Sequence, residues 1–161
     1  MSVRAFIGLG ANLGEASDTV RAAVAMLGQL PQTALVAASA LYRSSPVGYL
    51  DQPDFINAVA AIDTTLSPHA VLDALLEIEQ HAGRVRTFRN APRTLDMDLL
   101  CYGDQTMHDA RLTLPHPRML ERSFVLVPLA EIAPMLVLAD GRSAQAHADA
   151  CNRDGLAKLA A

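Results

Sequence analysis

The chain has 161 residues, 51% hydrophobic and 19% charged, with a net charge of −4 from 13 basic and 17 acidic side chains. That length suits one domain with a sizeable core, and the composition excludes a disordered chain. The acidic balance speaks against indiscriminate binding to nucleic acid or anionic membrane, and no apolar run reaches the length of a membrane span.

The opening MSVRAFIGLG reads as a strand over 3–9 and lacks the pattern of a signal peptide. Cys101 and Cys151 show no metal-like spacing, and two isolated cysteines without an export signal fit a cytoplasmic protein. Gly8, Gly10 and Gly14 are expected to form a turn around Asn12. Their spacing, G-x-G-x-x-x-G, differs from the dinucleotide fingerprint, and no acid follows about 20 residues on. Val20, Val24 and Leu27 give residues 16–29 a helical period, closed by Pro31. Residues 33–42 read as a second strand and RSSPVGYLDQPD as a loop.

FINAVAAID, 55–63, is a third strand. Ser67-Pro68 caps a helix carrying Val71, Leu72, Leu75, Leu76 and Ile78. Residues 95–102 are a fourth strand, followed by a short hairpin (105–114), the loop PHPR and a helix over 119–133. The order β-α-β-β-α-β predicts an α+β, ferredoxin-like core with a C-terminal extension. The whole chain, 1–161, reads as a single domain with a peripheral tail from 140.

Asp96 and Asp98 stand two apart in the fourth strand, so they share a face, while Leu95, Met97 and Leu99 face the core. Paired carboxylates repel, and hard divalent cations relieve that cost. Directly before them runs R-x-R-x-x-R-x-x-P-R, with Arg84, Arg86, Arg89 and Arg93 within ten residues. Twelve of the 13 basic residues are Arg, the side chain suited to bidentate contact with phosphate oxygens. Salt bridging between these groups is the bland alternative. The combination of acids and arginines describes a polyphosphate site. Phe55 and Asn57 also share a strand face, and offer a planar heterocycle an apolar surface and an amide edge. Core packing and a strand-end cap serve equally well there. His116, Arg118 and Arg122 in LPHPRMLERSF form a third basic cluster.

IGLGANLG, YRSSPVG, DQPDFINAV, IEQHAGRVR, APRTLDMDLL, LPHPRM and FVLVPLAEIAP together resemble the 6-hydroxymethyl-7,8-dihydropterin pyrophosphokinase family up to Asp140. The resemblance implies transfer of pyrophosphate from ATP to a pterin hydroxymethyl group in folate biosynthesis, with two Mg2+ ions and a monomeric enzyme. It implies that Asp96 and Asp98 bind both metals, and that Arg86 and Arg93 join them in catalysis. Glu79, Arg84, Arg86, Arg93, Thr113, His116 and Arg122 would surround ATP. Phe55 and Phe124 would sandwich the pterin, Asn57 would bond its edge, and backbone at Ser44 and Val47 would complete that site. Loops 44–54 and 83–94 would close over both substrates. The Arg loop is one residue shorter than the usual pattern, with Asn90 where a Trp often lies, and Leu76 replaces a polar residue. A magnesium-dependent nucleotide hydrolase and a nucleic-acid-binding module are the rival readings.

Overall fold

A computed structural model describes residues 1–45, 51–82 and 94–159. Strand β1 (Val3–Ala11) lies inside the main sheet, and nearly every residue along it is buried. It pairs antiparallel with β4 (Phe55–Thr64) on one side and β5 (Asp96–Tyr102) on the other. β2 (Thr33–Ala38) and β3 (Tyr42–Ser44) both pair with β4. Together with β8 (Leu156–Lys158) these six strands run β5-β1-β4-β3-β8, with β2 beside β4. Taken alone, β1, β2, β4 and β5 lie in the order β5-β1-β4-β2, the ferredoxin-like arrangement that the sequence predicts. A small hairpin, β6 (Met107–His108) and β7 (Thr113–Leu114), stands apart.

Each sheet face has its own core. Helices α1 (Ala16–Leu27) and α2 (Pro68–His81) cover one face. Val20, Ala23 and Leu27 of α1 and Val71, Leu75 and Ile78 of α2 pack on Ile7, Leu9, Ala60 and Ile62. Ser67 caps α2 by accepting from the Ala70 N–H, and Pro68 occupies the first turn, as expected from the sequence. On the opposite face α3 (Ser123–Ile132) and α4 (Ala144–Ala150) pack on Phe6, Val59 and Leu100 through Leu126, Leu129, Ala144 and Ala148.

Four local expectations are corrected. Gly8 and Gly10 lie within β1, which runs on through Ala11; of the three glycines only Gly14, at φ +57°, makes a turn. The strand expected over 33–42 is two strands, because the ladder to β4 ends at Ser39, whose N–H still donates to the Val59 carbonyl. Its hydroxyl accepts from the Val59 N–H, and the next amide, Ala40, donates to Glu131 Oε2. The helix expected over 119–133 begins as a 3-10 turn (Met119–Glu121) and breaks at Arg122, whose backbone is extended. The tail is not peripheral: α4 buries Ala144 and Ala148 in the second core, and β8 extends the sheet beyond β3.

Candidate active site

Alternation along β5 works as the sequence predicts. Leu95, Met97 and Leu99 enter the core beneath α1 and α2, while Asp96 and Asp98 line a cavity on the other side. Leu100 follows Asp96 and Asp98 to the second face, and a register shift opposite Phe6 and Ile7 sends Cys101 into the second core as well. The cavity, about 190 Å³, holds several times the share of one water, about 30 Å³.

Its floor is backbone. Gly8 and Gly10 of β1 line it, and a Cβ at Gly10 would come within 3.1 Å of Asn57 Oδ1. The missing side chains let the Asn57 amide lie against β1. Asn57 is 4% exposed and donates from Nδ2 to Ser44 Oγ at 2.6 Å. That bond fixes the amide, with Oδ1 over Gly10. Phe55 and Phe124 line the same cavity from β4 and α3. The Arg122 guanidinium sits 5.6 Å from the centre of the Phe124 ring, a cation–π contact. Asn12 holds the approach to Phe55 by donating to Gln52 Oε1 and to the Pro53 carbonyl.

Asp98 faces the His116 ring and the Arg122 guanidinium at longer range. His116 Nε2 lies 3.9 Å from Oδ1 and Arg122 Nη1 lies 3.8 Å from Oδ2. His116 is anchored by its own N–H, which donates to the Leu100 carbonyl, and its Nδ1 accepts from the Arg118 N–H. The neutral ring therefore carries its proton on Nε2, facing Asp98. Burial, reinforced by the positive charges of Arg122 and Arg118, lowers the His116 pKa despite the opposing pull of Asp96. Thr113 stands on the β6–β7 hairpin, its hydroxyl 3.2 Å from His108 Nδ1. Two ion pairs, His69 with Asp109 and Arg111 with Asp73, tie that hairpin to α2.

Glu79 is 2% exposed, and its Oε2 accepts from the Met97 N–H at 2.6 Å. β5 is an edge strand, so α2 supplies an acceptor to the residue between the two aspartates. Glu79 thus supports β5 from behind.

Ser44, Phe55, Asn57, Phe124, Asp96, Asp98 and Arg122 all line one cavity. Val47, Arg84, Arg86 and Arg93 lie outside the described residues, as do residues 46–50 of the first expected loop and 83–93 of the second. Arg118, Glu121 and Ser45 also line the cavity. Sequence reasoning gave Glu121 and Ser45 no role in the site; a signal for either exists only once α3 and β3 are folded together. The two carboxylates offer oxygen ligands alone, and among the described residues no group of three or more His, Cys, Asp or Glu gathers. This donor set fits magnesium, which takes one or two carboxylates and completes its shell with water and substrate phosphate.

An apolar cleft bordered by paired acids and arginine, on a ferredoxin-like sheet, has the chemistry of a phosphate-transfer site. A family model described as 7,8-dihydro-6-hydroxymethylpterin-pyrophosphokinase (HPPK) matches residues 6–134. The chain is 48% identical over 159 residues to a 2-amino-4-hydroxy-6-hydroxymethyldihydropteridine pyrophosphokinase of Pseudomonas aeruginosa, covering 99% of this chain and 98% of the relative. It is 48% identical over 140 residues to the Haemophilus influenzae protein of the same description, covering 87% and 88%. A solved HPPK-DHPS of Plasmodium falciparum with pterin and p-hydroxybenzoate superposes with a TM-score of 0.75 at 12% identity, over 100% of this chain and 47% of that one. This chain spans less than half of that longer protein, and the likeness is one of fold. The chain belongs to the HPPK family.

Proposed function

We propose that this protein is an ATP-dependent diphosphotransferase of folate biosynthesis. It moves pyrophosphate from ATP to the hydroxymethyl group of 6-hydroxymethyl-7,8-dihydropterin and releases AMP. The observation that carries the reading is that Asp96 and Asp98 open into the same cavity as Phe55, Asn57 and Phe124. Charge-binding and ring-binding groups thus share one space, as a direct transfer between two substrates requires.

Phe55 and Phe124 stack on the pterin, and Asn57 Oδ1, directed over Gly10, accepts from its amide-like edge. Backbone at Ser44 and Val47 completes that side. Asp96 and Asp98 would hold the two magnesium ions. Bound magnesium would neutralise the triphosphate and make its β-phosphorus more electrophilic. Asp98 orients the pterin hydroxyl for in-line attack on that phosphorus, and the α-phosphate leaves as AMP. Arg86 and Arg93 offset charge developing during transfer, while Arg84, Arg122, Thr113 and the Nε2–H of His116 hold phosphate and ribose oxygens. Glu79 acts through the Met97 amide, keeping the two acids in register. Residues 1–161 act as one domain, in a cytoplasmic monomer.

The test is to mix protein, ATP, magnesium and the pterin and follow AMP. AMP formed only with pterin present supports the transferase. AMP or ADP formed without pterin supports a hydrolase instead, and tight RNA binding without turnover supports a nucleic-acid module.

A further inference from the structure

The match to the family ends at residue 134, yet the chain beyond it reaches the cavity wall. β3 is three residues long and lies between β4 and β8. Its cavity residue, Ser44, pairs with Phe55 on one side and Leu156 on the other. The next residue, Ser45, also lines the cavity and donates its N–H to the Gly155 carbonyl at 3.2 Å. Below them Leu159 donates to the Leu41 carbonyl, and the Lys158 ammonium lies 3.8 Å from Glu131 of α3. Without β8, β3 would be a three-residue edge strand with unpaired backbone groups on its outer side.

Gly155 makes the contact specific. Its φ is +78°, and a Cβ there would come within 2.6 Å of Ser45 Oγ and 3.3 Å of Ser45 Cβ. A side chain at 155 therefore has to turn the Ser45 hydroxyl aside and displace the Ser45 Cβ by a few tenths of an ångström, in a backbone conformation that itself favours glycine. Ser44, the neighbour of Ser45, fixes the Asn57 amide through its hydroxyl.

We propose that the C-terminal strand, through Gly155 and its pairing with Ser44 and Ser45, is a positioning element for the ring-binding wall of the cavity. It sets affinity for the pterin and leaves the nucleotide side on β5 untouched. This rests on Phe55, Asn57 and Ser44 forming the pterin site.

The test compares full-length wild type, Gly155→Ala and Ala157→Pro, the last because proline cannot donate to a ladder. Titrations at 25 °C follow pterin binding with a saturating non-hydrolysable ATP analogue and magnesium. Separate titrations follow the analogue alone, and Tm is recorded for each protein. The expected result is pterin affinity weakened about tenfold in Gly155→Ala, the worth of one net hydrogen bond, with analogue affinity within about twofold of wild type. Adding Ser45→Gly to Gly155→Ala removes the clashing atoms and should recover most of the pterin affinity. Unchanged pterin affinity in both single variants, with only a lowered Tm, would overturn the proposal, and so would equal loss for pterin and analogue. If one variant fails to fold, the other decides. A wild-type protein that binds the analogue but no pterin would overturn the functional reading itself.

Discussion

The two walls of the cavity are built on opposite principles. On the β3–β4 wall, Asn57 and Ser44 are buried and bonded to each other at 2.6 Å, so the recognition groups are already oriented. On the β5 wall, Asp98 keeps 35% of its side chain exposed, with His116 Nε2 at 3.9 Å and Arg122 Nη1 at 3.8 Å. Those distances are contacts of charge rather than direct hydrogen bonds. One wall is finished within the protein. The other gathers two partly exposed carboxylates, Asp96 and Asp98, on the cavity side of β5. Preorganisation thus serves the ring, and complementarity to an incoming charge serves the triphosphate.

Substitutions on the β5 wall should do the greatest damage to turnover. Asp96→Ala or Asp98→Ala is expected to reduce it by more than about 10³-fold with magnesium present, with Tm retained, because neither side chain is part of the core. Steady-state AMP release and a thermal melt check both halves, and near-normal rates would erase the contrast between the walls. Arg93→Ala is expected to lose about 10²–10⁴-fold in rate, as removal of a transition-state contact does. An unchanged rate would make Arg93 a surface residue. On the finished wall, Phe55→Ala should weaken pterin binding by about tenfold and leave the affinity for an ATP analogue unchanged, as fluorescence titration would reveal.

Glu79 sharpens the comparison differently. Glu79→Ala leaves the Met97 N–H without this acceptor and should cost about 1–3 kcal/mol of stability, seen as a lower denaturation midpoint. Glu79→Gln keeps an acceptor and should lose less. The smallest effect concerns the core alone. Burial pushes the Cys101 thiol up to about 11, so at pH 8 it stays protonated. A thiol reagent at that pH should label Cys151 and spare Cys101 until the protein is unfolded.

Much of this was legible in the chain itself. Asp96 and Asp98 are visible because a period of two places acids where the strand face would otherwise be apolar. Ser67-Pro68 marks α2 for an equally local reason. What escaped depends on distant partners. Ser39 sits in a β-rich run, and only its bonding to Val59 of β4 ends the strand there. Glu79 stands four residues after Leu75, on the buried face of α2, but its bond to the Met97 N–H is a tertiary fact. Gly8 and Gly10 look like turn residues locally, but they are strand residues that leave room for Asn57 and Leu100. The tail carries little periodicity because α4 uses small alanines against the sheet, and β8 is short and bonded mainly through its backbone.

The most direct measurement is calorimetric titration of a non-hydrolysable ATP analogue with and without magnesium, on wild type and on the Asp96→Asn, Asp98→Asn double variant. Wild type should bind the analogue much more tightly when magnesium is present, and the double variant should lose that dependence while remaining folded. A double variant that keeps the full magnesium dependence would contradict the assignment of these two carboxylates to the ion.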